Sequence, residues 1–362
     1  MRRPVVLLAL LLVACDGSSG TDAGEPSDGG ATADAAGPDA GTDGGSLDGG
    51  ATDAGAPDAG GADAGATCPR TLAPADRARA LVVSHPYAAD GSQAPDYELL
   101  TLAEDGSLSR PGTRFSMGRA FDGRIVFTPD GELGFVAHDD GTLGVFRVSG
   151  TAVEVLEAGL DPGAYVGGLA MDPNGDAIWI VDAEVRDVGG GIFRAPIGCD
   201  GSIGAAERVV DASLPYGMLF APDGRIVVAA REVAGTPAGS EVHLLGADTS
   251  PLAGADAFEH DEGIMTAPAL LASGDYVLVG DHNAFSGTGN RIGIVQRSGD
   301  ALTHVAALLD VPDPVAIVAS PFDDVALVTS AEGNAIFVLE PASSGPRPIA
   351  VRGEVTYADG GP

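Results

Sequence analysis

A four-residue turn recurs along most of this sequence, and it constrains the fold more than any other feature. It reads Thr-Pro-Asp-Gly at 128–131, Asp-Pro-Asn-Gly at 172–175 and Ala-Pro-Asp-Gly at 221–224, with degenerate copies at 272–275 and 320–323. Successive copies are spaced by 44, 49, 51 and 48 residues. Proline fixes φ and glycine accepts positive φ, so each copy predicts a tight turn between two strands. Repeats of this length are typical of β-propellers and solenoids.

The residues around each turn decide between these two architectures. A short apolar run precedes each turn, and a run rich in β-formers follows it, at 133–137, 177–181, 226–230, 276–279 and 325–329. A third apolar run and often a weaker fourth come next, with no helical period. Four strands per repeat predict a blade, and therefore an all-β propeller. Second strands beginning near residues 80, 133, 176, 225, 275 and 324 predict six four-stranded blades, with seven as the alternative.

The ends of the repeat region predict how the ring closes. The second strand of the first blade, at 80–84, has no apolar run before it to serve as a first strand. Residues 353–360 match the pattern of 123–131. We therefore expect the C-terminal strand to complete the first blade, which would remove two open sheet edges.

Within this repeat, the segment FTPDGELGFVAHDDGTLGVFRV at 127–148 resembles the YVTN-type and lactonase-type propeller repeat. The resemblance extends over roughly residues 78–357. It implies the propeller fold, and it makes a metal-assisted ester hydrolysis conceivable. Propellers of this type include hydrolases, binding proteins and scaffolds, so the resemblance does not choose among these functions.

The N-terminus has the layout of a signal peptide. Arg2 and Arg3 precede an apolar run from Val5 to Ala14, which is too short to span a membrane as a helix. The run ends in Leu-Val-Ala-Cys, which resembles the bacterial lipobox. That resemblance implies cleavage after residue 14 and acylation of Cys15 by chains such as palmitate, which would anchor the mature protein in a membrane. The alternative is a plain secretory signal.

Residues 16–67 contain 15 Gly, 13 Ala and 10 Asp, and no basic or aromatic residue. Such a segment buries too little apolar surface to offset the entropy of ordering it, so it is predicted to be a disordered tether. The predicted organisation is a signal peptide at 1–14, a lipidated Cys and tether at 15–67, and the propeller domain at 68–362.

The charge balance limits the partners. The chain has 19 basic and 52 acidic residues, for a formal charge of 33 negative. Nucleic acid binding needs clustered basic residues, so it is excluded as a natural function. We expect a monomer in the bacterial cell envelope, anchored to the inner or the outer membrane and exposed to the periplasm or the surface. Its partner would be an unknown protein or small molecule.

Three cysteines occur. With Cys15 acylated, Cys68 and Cys199 remain, and an oxidising envelope allows a disulfide between them. Because Cys68 precedes the first blade and Cys199 falls in the third, only a segment lying across the surface could bring them together. Pairing and two separate thiols both stay open at this point.

Polar side chains at the ends of the second strands form the candidate binding site. In a propeller these ends share one face around the channel, so the side chains could converge on a funnel. His and Asp oxygen and nitrogen donors there would suit a divalent cation, although several also read as ordinary turn residues. The candidates are His85, His138, Asp139, Asp182, Glu184, Arg231, Asp281 and His282.

No catalytic serine motif or zinc spacing is present in the sequence. We therefore predict no catalytic residues and no cofactor, and a binding or scaffolding module is the expected function. The alternative is a lactonase-like, metal-dependent ester hydrolase with its site at the funnel.

Overall fold

The computed structural model describes residues 70, 79–87, 93–102, 108–119, 121–183, 190–258, 264–282, 291–319, 324–330, 335–343, 345 and 347–356. These residues form strands joined by turns, arranged as the sheets of a β-propeller. They contain no helix that is long and apolar enough to cross a membrane. The predicted signal peptide and tether, including Cys15 and Cys68, lie outside this part of the chain.

The described strands form six antiparallel sheets, which we call blades 1 to 6 in chain order. Blade 1 contains β1 (Arg79–Tyr87), β2 (Gln93–Leu102), β3 (Leu108–Ser109) and β4 (Arg114–Ser116). Blade 2 contains β5 (Phe121–Phe127), β6 (Leu133–His138), β7 (Leu143–Ser149) and β8 (Ala152–Leu160). Blade 3 contains β9 (Gly168–Met171), β10 (Ala177–Asp182), β11 (Gly191–Pro196) and β12 (Glu207–Val210).

Blades 4 to 6 follow the same order. Blade 4 contains β13 (Ala212–Phe220), β14 (Ile226–Val233), β15 (Val242–Leu245) and β16 (Pro251–Ala255). Blade 5 contains β17 (Ile264–Met265), β18 (Ala269–Leu270), β19 (Tyr276–His282), β20 (Arg291–Ser298) and β21 (Ala301–Leu308). Blade 6 contains β22 (Pro314–Ala319), β23 (Ala326–Ser330), β24 (Ala335–Pro341) and β25 (Ile349–Thr356).

Five blades have four strand positions, and in blade 5 the first position is divided between β17 and β18, which both pair with β19. Blade 1 differs, because β3 and β4 lie on the same edge of β2 and occupy one position. Its described strands therefore fill three positions. The expectation of six equal four-stranded blades has to be corrected at this blade.

The predicted closure by the C-terminal strand is wrong for the described residues. β25 pairs with β24 as the fourth strand of blade 6 instead of with β1. The reason is loop length: β24 and β25 are joined by a short connection, in which Ala342 donates to the Pro348 carbonyl oxygen at 2.8 Å. Pairing with β1 would close a loop of most of the domain, at a higher entropic cost.

The recurring turns have the predicted geometry. Gly131, Gly175, Gly224 and Gly274 have φ values of 73°, 73°, 86° and 79°. Each of these glycines donates its amide to the carbonyl three residues earlier, at 2.8 to 2.9 Å. We call the face of the propeller that carries these turns the turn face. The ends of the second strands lie at the opposite face, which we call the strand-end face.

The hydrophobic core lies between consecutive blades. β6 and β10 are buried at every position, whereas the fourth strand β8 alternates between exposed and half-buried residues. Five clusters of buried side chains join blade 1 to 2, 2 to 3, 3 to 4, 4 to 5 and 5 to 6. Neighbouring blades therefore stabilise one another by apolar burial, and each second strand is held rigidly where it reaches the strand-end face.

Candidate functional site

The sequence-predicted site residues lie at the strand-end face, at or near the ends of second strands. His138, Asp182 and His282 are the last residues of β6, β10 and β19, while His85 and Arg231 lie within β1 and β14. Glu184 and the side chains of His85 and His282 are outside the described part of the chain. Arg231 and Asp139 are exposed to solvent.

The buried polar groups at these ends hold the chain segments that enter their own blades. Asp182, 5% exposed, accepts a hydrogen bond from the Tyr165 amide at 3.3 Å. The Ser330 hydroxyl donates to the Pro312 carbonyl oxygen, and the Gly280 amide donates to the Thr266 hydroxyl at 2.8 Å. These contacts fasten each incoming connection to the second strand, so the groups have a structural role. Their convergence on a common funnel stays a prediction.

Asp281 is buried at the end of β19 and has a cationic neighbour. Its Oδ2 lies 3.6 Å from Nε of Arg291, the first residue of β20. The Arg291 guanidinium is also 5.8 Å from the ring centroid of Phe258. The charge of Asp281 is therefore compensated within blade 5. In the described residues, no group of three or more His, Cys, Asp or Glu side chains is arranged to hold a metal ion.

The strand-end face of blade 2 contains an open depression of about 590 Å³. Its lining comes from the connection that enters blade 2, from the turn after β6 and from the end of β8. Arg119 and Asp140 form an ion pair across it, and the exposed Tyr165 hydroxyl donates to the Asp139 carbonyl oxygen at 3.2 Å. The lining residues are Met117, Gly118, Arg119, Asp139, Asp140, Ala158 and Gly159.

His138 lies directly beneath this depression and is fully buried. Its Nδ1 is 3.2 Å from the Thr142 hydroxyl oxygen. Burial, followed by the positive charge of Arg119, lowers the pKa of His138 to about 4. The imidazole is therefore neutral at neutral pH and can act as a base or as a ligand.

Tyr97 in blade 1 is also perturbed. Its side chain is fully buried in the cluster between blades 1 and 2, stacked on Phe115 with ring centroids 5.2 Å apart. Burial, with a smaller effect of the Asp139 charge, raises the pKa of the Tyr97 phenol above its usual value. Perturbed groups beside a depression mark a candidate site.

Sequence reasoning predicted His138 and Asp139 as site residues but missed Met117 and Arg119, which line the depression. Met117 and Arg119 precede β5, in the connection from blade 1, whereas the sequence search considered the ends of second strands. A signal was present in Gly144 and Gly159, because a Cβ at either position would collide with the Met117 and Arg119 side chains, respectively. The sequence shows the two glycines, but only the packed structure shows which side chains lie against them.

The turn face carries the start of the domain. The Arg70 side chain is 6% exposed and lies across blades 2 and 3. Its guanidinium donates to the Gly198 carbonyl oxygen at 3.1 Å and lies 3.4 Å from Asp130, and its stem packs against Gly175. Cys199, next to Gly198, is disulfide-bonded. The partner lies outside the described residues, so pairing with Cys68 stays a prediction, which the position of Arg70 supports.

The fold of this chain is similar to that of solved propellers. No protein family matches the sequence, and no curated protein matches it. The periplasmic gluconolactonase of Pseudomonas aeruginosa has a TM-score of 0.54 at 16% identity, over 79% of this chain and 83% of that one. The similarity is one of fold. The chain therefore has a β-propeller fold.

Two further solved structures agree. A protein from Lactobacillus plantarum has a TM-score of 0.53 at 13% identity, over 77% of this chain and 83% of that one. A provisionally named 6-phosphogluconolactonase from Bacteroides fragilis has a TM-score of 0.50 at 14% identity, over 79% of this chain and 97% of that one. At such identities the shared property is architecture, and function has to be argued from residues.

Proposed function

We propose that this protein is a membrane-anchored envelope lipoprotein whose propeller is a binding or scaffolding module. The observation that carries this proposal is the use of the polar strand ends. Asp182 and Ser330 are bonded to the connections entering their own blades, and Thr266 in the segment entering blade 5 accepts from the Gly280 amide of β19. Groups committed in this way maintain the shape of the strand-end face, which is what a rigid binding platform requires.

The arrangement of the two faces supports the same function. Arg70, the first described residue, lies against the turn face at Asp130 and Gly198. The depression lies on the opposite, strand-end face, so the contacts of Arg70 do not cover it. As a Gly-rich coil, residues 16–67 would span on the order of 40 Å, which gives the module reach from the membrane.

The chemistry of the depression suggests the partner. Its polar lining contains the exposed Asp139 and the paired charges of Arg119 and Asp140. The chain as a whole has a formal charge of 33 negative. Attraction by this charge favours a cationic or polar protein or small molecule and weakens as salt is raised.

The anchor is tested by Cys15→Ala. Without the acylated thiol the protein has no lipid chain, so we expect most of it to move from the membrane pellet to the soluble fraction at high salt. Cell fractionation with immunoblotting measures this. Cys68→Ser is the matched control and should remain in the pellet. Sedimentation of Cys15→Ala with the membranes would contradict the anchor.

The alternative function is a lactonase-like, metal-dependent ester hydrolase, favoured by the fold similarity to a gluconolactonase and by the neutral His138 beside the depression. Titration calorimetry with Ca²⁺, Mn²⁺ and Zn²⁺ separates the two functions. For the binding module we expect no stoichiometric divalent cation, and no effect of a chelator on the melting temperature. One tightly bound equivalent, lost in His138→Ala and His282→Ala but kept in His304→Ala, would favour the hydrolase instead.

A further inference from the structure

The hydrogen bonds around His138 determine where its proton lies. The Thr142 hydroxyl donates to Asp140 Oδ1 at 2.6 Å, and a carboxylate can only accept. Because that is the single proton of the hydroxyl, Thr142 Oγ1 must accept from His138 Nδ1 at 3.2 Å. The neutral ring therefore carries its proton on Nδ1. Nε2 keeps its lone pair, and it is buried without a hydrogen-bond partner among the described residues.

A thioether lies beside this nitrogen. Met117 is 4% exposed, and its Sδ lies 2.4 Å from the point where residue 144 would carry a Cβ. His138 Nε2 lies 3.0 Å from the same point. The two atoms are thus separated by no more than the sum of these distances. Gly144 permits this close approach, because a Cβ at this position would collide with both side chains.

We propose that His138 Nε2 and Met117 Sδ bind a soft monovalent cation, Cu(I), beneath the depression on blade 2. Imidazole nitrogen suits copper, and thioether sulfur selects Cu(I) over hard cations. Both ligands are neutral, and the surrounding cluster includes Phe115 and Phe146. An apolar site with neutral ligands penalises a divalent ion far more than a monovalent one, because the desolvation cost rises steeply with charge.

Nearby charges and access are compatible with this cation. The positive charge of Arg119 acts against a cation here, and its ion pair with Asp140 offsets that charge in part. Asp139 adds a negative charge on the adjacent turn, and the hydrogen bonds of Thr142 leave the lone pair of Nε2 available. Met117 itself lines the depression, so the ion reaches the donors from solvent along the thioether.

Ag(I) is the appropriate probe, because it mimics Cu(I) and needs no reductant that would attack the Cys199 disulfide. Titrating the full-length protein should show one equivalent bound. Met117→Leu keeps the volume and removes the sulfur, so binding should weaken at least tenfold. Met218→Leu is the matched control, because Met218 is a buried methionine of blade 4 and its variant should bind like the wild type. Equal binding by Met117→Leu and wild type, or no binding by wild type, would overturn the proposal.

NMR of the imidazole nitrogens gives a readout that does not depend on the variants. The His138 Nε2 resonance should lack an attached proton and should shift when Ag(I) is added. His243 is the internal control, because its Nε2 donates to the Ala230 carbonyl oxygen at 3.0 Å and its Nδ1 is 2.8 Å from the Thr236 hydroxyl. A proton found on Nε2 of His138, or an Ag(I)-induced shift at His243 alone, would also overturn the proposal.

Discussion

Cys199→Ser is expected to lower the free energy of unfolding by about 4 kcal/mol, since its disulfide closes a very long loop if Cys68 is the partner. A cross-link of this kind restricts the unfolded chain, and the restriction grows with loop length. Cys199 is disulfide-bonded, and Arg70, two residues after Cys68, donates to the carbonyl oxygen of Gly198. Urea unfolding followed by fluorescence measures the effect.

Cys68, the proposed partner of Cys199, provides the controls. Cys68→Ser should destabilise the protein as much as Cys199→Ser does, and the double variant should lose no more than either single variant, because the two changes remove the same bond. A thiol reagent should find one additional free thiol in each single variant. Unequal single variants, or additive losses, would show that Cys199 has a different partner.

Glu241→Gln is expected to remove a loss of stability that the wild type suffers as the pH rises. Glu241 accepts the Ala257 amide at 2.6 Å, and the neighbouring Asp256 accepts the Phe258 amide at 3.0 Å. Burial, together with the charge of Asp256 and a hydrogen bond to it, raises the pKa of Glu241 from 4.5 to about 7. The two carboxyl groups are held together best while Glu241 keeps its proton.

The sign follows from proton linkage. Between pH 4.5 and 7 the folded protein retains a proton that the unfolded chain releases, so the contribution of Glu241 is fully present below pH 4.5 and is lost as the pH rises through 7. Since Glu241 is partly exposed, we expect a loss of about 1–2 kcal/mol. In Glu241→Gln the amide oxygen accepts from Ala257 and the amide nitrogen donates to Asp256 at any pH.

Unfolding curves at pH 5 and pH 8 provide the measurement. The variant should match the wild type at pH 5 and exceed it at pH 8 by the stated amount. The exposed Glu232 on the same blade supplies the control, because Glu232→Gln should leave the difference between the two pH values unchanged. Parallel pH profiles of wild type and Glu241→Gln would contradict the raised pKa of Glu241.

The second strands and the turns before them were readable from the sequence. The predicted runs at 133–137, 177–181 and 226–230 fall within β6, β10 and β14. The turn glycines have the positive φ that the turn motif predicts. This success has a local cause: a Pro-Asp-Gly turn depends on four consecutive residues, and strand alternation depends on the few that follow.

The strand pairing in blade 1 and the pairing of the C-terminal strand could not be predicted from local sequence. Residues 353–360 resemble a first strand, but residues 349–356 form β25 and pair with β24. The pattern of a strand gives its length and the face that it buries, but it does not name its partner. Partner choice is a competition between sheet edges, and here the edge closest along the chain has the lower loop-closure cost.

The sequence determined by itself the repeat, the second strands and the residue types at their ends, since these depend on neighbours along the chain. Only the tertiary structure decided which of those residues have local partners and which do not. It bonded Asp182 to Tyr165, brought Met117 beside His138, and joined Glu241 to Asp256 through the turn at 256–258. Each contact joins different strands or connections, so burial and the available partners in the packed blades set the chemistry of these groups.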